Sequence, residues 1–141
     1  MAVEKVVTML RAKDIMKKEV ISVRKETPIF EAAELLARNG ISGLPVVEDD
    51  MTVAGILSEK DVILLFYEGQ KAEHKTVRDF MTSPAVTFEE HESVLCICDF
   101  LVKNIFRRVP VTSKGKLVGI ISIQDVIESI LQHRQQATAV N

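Results

Sequence analysis

Hydrophobic and polar positions follow the same order in the two halves of the chain. A short run of β-forming residues comes first, and a segment with apolar residues at helical spacing follows it. Two more apolar runs, separated by a polar turn, then precede a second helical segment. Each half is therefore expected to fold as strand–helix–strand–strand–helix. The expected strands cover residues 20–23, 44–47 and 53–57 in the first half and residues 85–88, 109–112 and 117–121 in the second.

Boundary signals accompany the helical segments. Thr27 and Pro28, a capping residue followed by a proline, predict the start of the first helix, and Gly40 predicts its end. Gly115 is free to adopt a positive φ in the turn between the last two strands. The closing helices of the two halves are expected at residues 59–67 and 123–133.

The halves also match residue by residue. Asp14 aligns with Asp79, 65 positions later, and Pro45 aligns in the same way with Pro110. From Gly55 onward the offset is 64 positions, because the turn in the first half is one residue longer. A single gap that falls in a turn is typical of homologous repeats. A repeat of about 55–60 residues is marginally stable alone, so we expect an α+β fold of two repeats packed by pseudo-twofold symmetry.

The repeats divide the chain into five parts. An N-terminal segment (residues 1–10) precedes the first repeat (11–68), and a polar linker (69–75) leads to the second repeat (76–133). The polar tail (134–141) is expected to be flexible. Apolar side chains would allow the N-terminal segment to lie against the other half; they are Val3, Val6, Val7 and Leu10.

Composition narrows the class of protein. The net charge is −2 at pH 7, whereas nucleic-acid-binding proteins are usually strongly basic. The six Phe and one Tyr fall mostly at expected core positions, so no aromatic surface for stacking bases is expected. No apolar run approaches the ~18 residues of a membrane span, and no export signal is visible, which favours a cytoplasmic location. Cys96 and Cys98 are interpreted as small buried hydrophobic residues rather than as a metal or redox site. The histidines expected at the surface are His74, His91 and His133.

The sharpest motif is Gly-x-x-Ser-x-x-Asp, which occurs in each half where a strand leads into a helix. It reads GILSEKD in the first half and GIISIQD in the second. In a structural interpretation, Ser58 and Ser122 cap the two helices, and Asp61 and Asp125 favour their positive N-termini. In a functional interpretation, the same carboxylates accept bonds from ribose hydroxyls, the helix N–H groups suit a phosphate, and the glycines allow close approach of a ligand. The motif alone is compatible with both.

Arg107 and Arg108 form a second candidate feature. They precede a strand of the second half, at the point where the first half has Ser42 and Gly43. Adjacent side chains of an extended chain point to opposite sides, so one arginine can face a polyanion. The alternative is an exposed pair on a surface loop.

The repeated order of these motifs resembles the CBS (cystathionine β-synthase) domain family in its tandem form, the Bateman module. The similarity covers residues 11–133 and rests on the DIM and DFM triplets, the LPVV and VPVT segments and both Gly-x-x-Ser-x-x-Asp motifs. It implies clefts that bind AMP, ADP, ATP or S-adenosylmethionine, with NAD as a further candidate, and no obligatory cofactor. It also implies a homodimer in which four CBS domains form a flat disc.

The resemblance implies roles for individual residues. Asp61 and Asp125 would hold ribose hydroxyls, with Ser58 and Ser122 beside the ribose or phosphate. The other implied contacts are Arg107 and Arg108 at the phosphate, Ile21, Ile41 and Ser42 at the adenine of one site, and Val86 and Pro110 at the adenine of the other.

One position departs from the family pattern. Many family members carry a threonine directly after the methionine of the DIM-type triplet. Thr82 matches this pattern in the second repeat, whereas Lys17 replaces the threonine in the first. The two sites are therefore expected to differ in how readily they are occupied.

The favoured function is adenine-nucleotide sensing without catalysis, which a separate, unknown effector protein would read. The alternative is a ligand-free dimerisation or assembly module, because helix capping alone explains the Ser-x-x-Asp motifs. An enzyme is less favoured, since no nucleophile has a nearby base in a recognisable motif and no phosphate loop of the Walker type is visible. Asp49 and Asp50 fall in a hairpin turn, which favours turn formation over metal binding.

Overall fold

The computed structural model describes residues 9–140, with side chains described up to residue 134. These residues form two compact units. The central unit contains Ile21–Val86 and Gly115–Leu117, and the terminal unit contains Thr87–Lys114 with the residues up to Val20 and from Val118 onward. Both units combine helices and strands, which confirms the expected fold of two α+β repeats. The expectation for Val3, Val6 and Val7 lies outside the described residues.

The central unit is built on a two-stranded antiparallel sheet of β1 (Gly43–Val47) and β2 (Val53–Ser58). Val23 forms a parallel bridge with Val46, so the strand expected at residues 20–23 is reduced to one paired residue. A strand needs a partner for its whole length, and only Val23 reaches β1. The register shifts directly after Val46, beside the turn that is longer than its counterpart in the second repeat.

Helix α2 (Ile29–Asn39) covers one side of this sheet with an apolar stripe. It ends as predicted, because Gly40 adopts a left-handed conformation with φ 59° and ψ 37°. Its predicted start is wrong in one respect. The hydroxyl oxygen of Thr27 accepts a hydrogen bond from the N–H of Arg24 and does not cap the helix.

The closing helix of the first repeat, expected as one piece, is broken into α3 (Glu59–Ile63) and α4 (Leu65–Glu68). The polar linker that follows is structured. It contains a 3₁₀ turn at Gly69–Ala72, and Ala72 is fully buried in the core of the central unit. An ion pair of 3.0 Å between Lys75 and Glu68 spans the same segment.

The terminal unit contains a three-stranded sheet in the order β3 (Phe88–Glu89), β4 (Arg108–Ser113) and β5 (Lys116–Ser122). β3 pairs in parallel with β4, with Phe88 opposite Val111, and is shorter than the expected strand. This pairing is equivalent to the bridge between the first repeat's leading strand and β1.

Two helices complete the terminal unit. They are α5 (Val94–Lys103) and α6 (Ile123–Val140), and α6 extends beyond the end expected at residue 133. In the β4–β5 turn Gly115 has φ 82°, as predicted, and Lys114 before it has φ 53°.

The leading segment of the first repeat packs in the terminal unit, on the second repeat. It contains α1 (Ala12–Ile15). Beyond this helix, Lys17 and Ile120 of β5 exchange two backbone hydrogen bonds of 2.9 Å. Before it, the carbonyl of Leu10 accepts a bond of 3.0 Å from the N–H of Val94. The described end of the N-terminal segment therefore lies against the second repeat.

The leading segment of the second repeat packs in the central unit in the equivalent way. It begins with a 3₁₀ turn at Val77–Asp79, and Val77 is fully buried in the central core. Thr82 and Ile56 of β2 then exchange backbone hydrogen bonds of 2.9 and 3.0 Å. Each unit is thus built from parts of both repeats.

The glycines of the Gly-x-x-Ser-x-x-Asp motifs are required by these crossed segments. A Cβ atom on Gly119 would lie 2.4 Å from the sulfur of Met16, and one on Gly55 would lie 2.6 Å from the carbonyl oxygen of Thr82. The space beside each glycine is therefore filled by the chain itself. This corrects the idea that the glycines leave room for a ligand.

Several aromatic side chains lie outside the core, contrary to expectation. Phe66 and Tyr67 on α4 are 95% and 85% exposed, and Phe30 is also exposed. The expectation of mostly core positions rests on the apolar character of these aromatic residues, but nothing in the described chain covers Phe66 and Tyr67. Within residues 9–140, no helix is both long enough and apolar enough to cross a membrane.

The glycine contacts lead to a paired prediction. We expect Gly55→Ala to lower the free energy of unfolding by about 1–3 kcal/mol, because the new methyl meets a backbone carbonyl that is fixed by the ladder with β2. Gly119→Ala should cost less, because the atoms it meets belong to the flexible side chain of Met16. Urea unfolding of both variants tests this order, and an equal or reversed loss would contradict it.

Candidate functional site

The start of α6 is closed by a reciprocal set of hydrogen bonds. The Oδ2 atom of Asp125 accepts a bond of 2.8 Å from the N–H of Ser122 and one of 2.9 Å from its hydroxyl. The N–H of Asp125 in turn donates to the Ser122 hydroxyl oxygen over 3.2 Å. This capping box satisfies helix-end groups that would otherwise lack partners.

The start of α3 repeats the same geometry. Oδ2 of Asp61 accepts bonds of 2.8 and 2.9 Å from the N–H and hydroxyl of Ser58, and the Asp61 N–H donates to the hydroxyl oxygen over 3.3 Å. The capping interpretation of the motif is therefore correct in both repeats.

Capping uses one carboxylate oxygen of each aspartate and leaves the other. Oδ1 of Asp125 lies 3.6 Å from the ammonium nitrogen of Lys17, while the capping bonds of Asp61 are accepted by its Oδ2 atom. An ionised carboxylate has about four acceptor sites, so each Oδ1 retains capacity for about two donors. Capping and ligand binding by the same side chain are thus compatible.

The two carboxylates differ in their surroundings. Asp125 is only 7% exposed, whereas Asp61 is half-buried. Lys17 is positioned beside Asp125 by its backbone ladder with Ile120, which holds the lysine at the strand that leads into α6. In the central unit, the neutral Thr82 occupies the equivalent ladder position.

The residues directly before β4 and β1 each form a backbone hydrogen bond with the first residue of a helix. The carbonyl of Arg107 accepts a bond of 2.9 Å from the N–H of Ile123, the first residue of α6. The carbonyl of Ser42 accepts an equivalent bond of 2.9 Å from Glu59, the first residue of α3. Arg107 is exposed and Arg108 is half-buried, as expected for neighbours that point to opposite sides.

The remaining sequence-predicted residues are distributed over both units. In the central unit Ile21, Thr82 and Val86 are exposed and Ile41 is half-buried. Pro110 lies within β4 of the terminal unit, and its side chain is buried.

The terminal unit has a cavity of about 340 Å³ beside Asp125. It lies between the leading segment of the first repeat and α6. Its lining includes Lys17 and Glu128, together with Ser129 and His133. The imidazole Nδ1 of His133 lies 2.7 Å from the carbonyl oxygen of Ser129, so this histidine is half-buried rather than a free surface residue.

The described chain offers little for redox chemistry or metal binding. Cys96 is exposed and Cys98 half-buried, rather than fully buried as expected, and burial raises the pKa of the Cys98 thiol. Residues 9–140 contain no group of three or more His, Cys, Asp or Glu side chains placed to hold a metal ion. Hydrogen bonds from Thr52 lower the pKa of Asp50, which fits its expected role in the hairpin turn.

Comparison with known proteins identifies the repeats. The model of the CBS domain matches twice, at residues 12–68 and 77–132. The chain belongs to the CBS domain family. Its relatives include the inosine-5′-monophosphate dehydrogenase of Thermoplasma acidophilum, which is 36% identical over 126 residues, or 89% of this chain. The chain spans 24% of that protein and 41% of another of the first curated relatives.

Solved structures of CBS pairs have the same fold. A crystal structure of CBSX2 in complex with AMP matches with a TM-score of 0.80 and 29% identity, covering 88% of this chain and 98% of CBSX2. CBSX2 is a CBS-pair protein from Arabidopsis thaliana. The CBS pair of MJ0100 in complex with 5′-methylthioadenosine and S-adenosyl-L-methionine matches with a TM-score of 0.74 and 28% identity, covering 85% and 94%.

Sequence reasoning missed the roles of residues in the crossed segments. Asp14 accepts a bond of 2.7 Å from the N–H of Arg11, and Asp79 accepts one of 2.9 Å from Thr76, so both triplet aspartates cap short turns. The contact of Lys17 with Asp125 was also missed. The alignment of Lys17 with Thr82 was a signal, but it did not reveal which aspartate the lysine meets.

The capping box leads to a stability prediction. Ser122→Ala should lower the free energy of unfolding by about 1 kcal/mol, because it removes one donor to the buried carboxylate of Asp125 and the acceptor at the start of α6. Denaturant unfolding measures this, with Gln124→Ala on the exposed first turn of α6 as the control. A loss no larger than that of the control would contradict the geometry.

Proposed function

We propose that this CBS pair is a regulatory module that binds an adenine nucleotide, AMP, ADP or ATP, at its two Ser-x-x-Asp helix starts. S-adenosylmethionine and NAD are further candidates, because both contain the same adenosine group. The ligand would shift the conformation of the module only if it binds one state more tightly than another.

The observation that carries this proposal is the carboxylate oxygen that capping leaves at each helix start. Oδ1 of Asp61 and Oδ1 of Asp125 each retain acceptor capacity, because the capping bonds are made to Oδ2. The two neighbouring ribose hydroxyls of an adenosine group are donors of matching number. Similar proteins crystallised with AMP, 5′-methylthioadenosine and S-adenosyl-L-methionine add support, since each of these ligands contains that ribose.

The other contacts in this proposal follow the family resemblance. Ser58 and Ser122 would lie beside the ribose or phosphate, and the hydroxyl of Thr82 would remain for the ligand because its backbone is used in the ladder with β2. Pro110, whose side chain is buried, would contribute its backbone carbonyl. The further proposed contacts are Arg107 and Arg108 at the phosphate and Ile21, Ile41, Ser42 and Val86 at the adenine.

Thermal melting of the full chain tests the proposal. AMP, ADP, ATP, NAD and S-adenosylmethionine are each titrated to millimolar concentration. A ligand present at 100 times its Kd should stabilise the protein by ~2.7 kcal/mol. If none of the five raises the Tm, the sensing proposal fails for this chain.

Asparagine variants test the proposed ribose contact separately from the cap. Asp61→Asn and Asp125→Asn each keep one oxygen for the capping box but lose the second acceptor. We expect ligand affinity at the altered site to fall about tenfold or more, because a bond to a charged group is lost, while the Tm of the free protein changes little. Calorimetric titration measures the affinity, with Asp99→Asn on the exposed face of α5 as the control. Wild-type affinity in both variants would contradict the assigned role.

A second candidate, an assembly module, is favoured by a different observation. The α3–α4 segment exposes Ile63, Leu64, Phe66 and Tyr67, and α6 exposes a stripe at helical spacing. The stripe comprises Ile123, Ile127, Ile130 and Leu131. Contiguous exposed apolar side chains commonly mark an interaction surface. We propose that these faces form a homodimer, the four-CBS disc implied by the family, and this assembly is compatible with ligand sensing.

The dimer proposal predicts a change in mass. The full chain should be a dimer by light scattering, and a double substitution, Phe66→Ser with Tyr67→Ser, should make it monomeric by removing the largest exposed apolar surface of α4. Val102→Ser, on the exposed end of α5, is the control. A monomeric wild-type chain, or a double variant that stays dimeric, would contradict the proposal.

We further propose a regulatory rather than catalytic role, in the cytoplasm, with a separate effector protein as the reader. Cys96 and Cys98 are free thiols, as is usual in reducing compartments. Cys98, whose pKa is raised by burial, is a poor nucleophile.

A further inference from the structure

Three cationic residues that distinguish the two repeats lie in the terminal unit. Lys17 belongs to the first repeat by sequence, but its ladder with Ile120 brings it to the helix start that carries Asp125. Arg107 and Arg108 belong to the second repeat and reach the same helix start through the carbonyl of Arg107. The ammonium of Lys17 and the backbone of Arg107 therefore meet at the start of α6.

The equivalent positions at the start of α3 are uncharged. Thr82 takes the place of Lys17, and Ser42 and Gly43 take the places of the two arginines. Glu59 and Lys60 at the first two positions of α3 offset each other in charge, where α6 has the uncharged Ile123 and Gln124. Glu128, about one turn beyond Asp125, adds a negative charge to α6 and so reduces the difference in charge between the two helix starts. The α6 start is still the more positive of the two.

The position of Lys17 allows it to reach a ligand. Its side chain is 62% exposed, and its ammonium lies 3.6 Å from Oδ1 of Asp125, which is longer than a hydrogen bond. Only the lysine side of this pair is exposed, and its flexible stem allows the ammonium to turn from the carboxylate toward an incoming anion. The positive end of the dipole of the 18-residue helix α6 favours an anion at the same place.

We propose that Lys17 is a specificity-determining residue that makes the Asp125 site select phosphorylated adenosine ligands over uncharged adenosine, a selectivity that the Asp61 site lacks. This inference rests on the proposed adenine-nucleotide function and specifies the ligand class of one of its two sites. In the free protein Lys17 partly neutralises Asp125. In the complex it pairs with the ligand phosphate.

The test compares AMP with adenosine, which differ only in the phosphate. Calorimetric titrations use an Asp61→Asn background, so that the Asp125 site dominates. In this background Lys17→Thr, which recreates the residue of the other repeat, should weaken AMP binding about fivefold, the loss expected for one exposed charge pair, and leave adenosine binding unchanged. Raising the salt concentration should weaken AMP binding to the parent protein more than to the Lys17→Thr variant.

A matched control uses the other site. In an Asp125→Asn background, Thr82→Lys should increase the preference for AMP over adenosine, because it places a lysine at the equivalent ladder position. An unchanged AMP-to-adenosine ratio in the Lys17→Thr protein would overturn the inference. Tighter binding of both ligands would also overturn it, since Lys17 would then compete with the ribose for Asp125. If neither AMP nor adenosine binds the wild-type protein, the inference is overturned, whereas the proposed function fails only if none of the five ligands of the melting series binds.

Discussion

Four backbone hydrogen bonds determine how the two units of this CBS pair are composed. Lys17 and Ile120 exchange two of them, and Thr82 and Ile56 exchange the other two. Backbone groups of a buried strand need partners, so neither leading segment can leave its unit without exposing unpaired β-strand groups and core side chains such as Ala12. The glycines opposite these segments are a consequence, because only glycine leaves space for the crossing chain.

The crossing also determines which residues meet at each candidate site. Each Ser-x-x-Asp box caps its helix through one carboxylate oxygen, and the other oxygen is the one that we propose a ligand uses. The residue beside the box comes from the opposite repeat, so a substitution in the first repeat alters the site that bears the second repeat's aspartate. Lys17 is that substitution. Two copies of one sequence motif can in this way acquire different ligand preferences without any change in the motif itself.

Local rules explain which parts of the fold could be predicted from the sequence. The helix end at Gly40, the positive φ of Gly115 and the caps by Ser58 and Ser122 depend on residues close in sequence and agree with the predictions, although the predicted cap by Thr27 is wrong. The strand expected at residues 20–23 was overestimated, because pairing depends on a distant partner. The exposure of Phe66 was missed, because an apolar side chain favours the core but the sequence does not reveal what covers it. The crossed segments depend wholly on contacts between distant residues, so the partner of Lys17 could not be inferred.

Amide hydrogen exchange, followed residue by residue by NMR in the free and AMP-saturated protein, measures the crossed backbone pairing itself. The crossed pairing predicts that the amides of Lys17, Ile120, Thr82 and Ile56 exchange slowly, at rates set by the opening of their units. It also predicts that AMP slows exchange further at Lys17 and at the start of α6. Fast exchange of these four amides in the folded protein, or protection by AMP only at residues remote from both helix starts, would contradict the account.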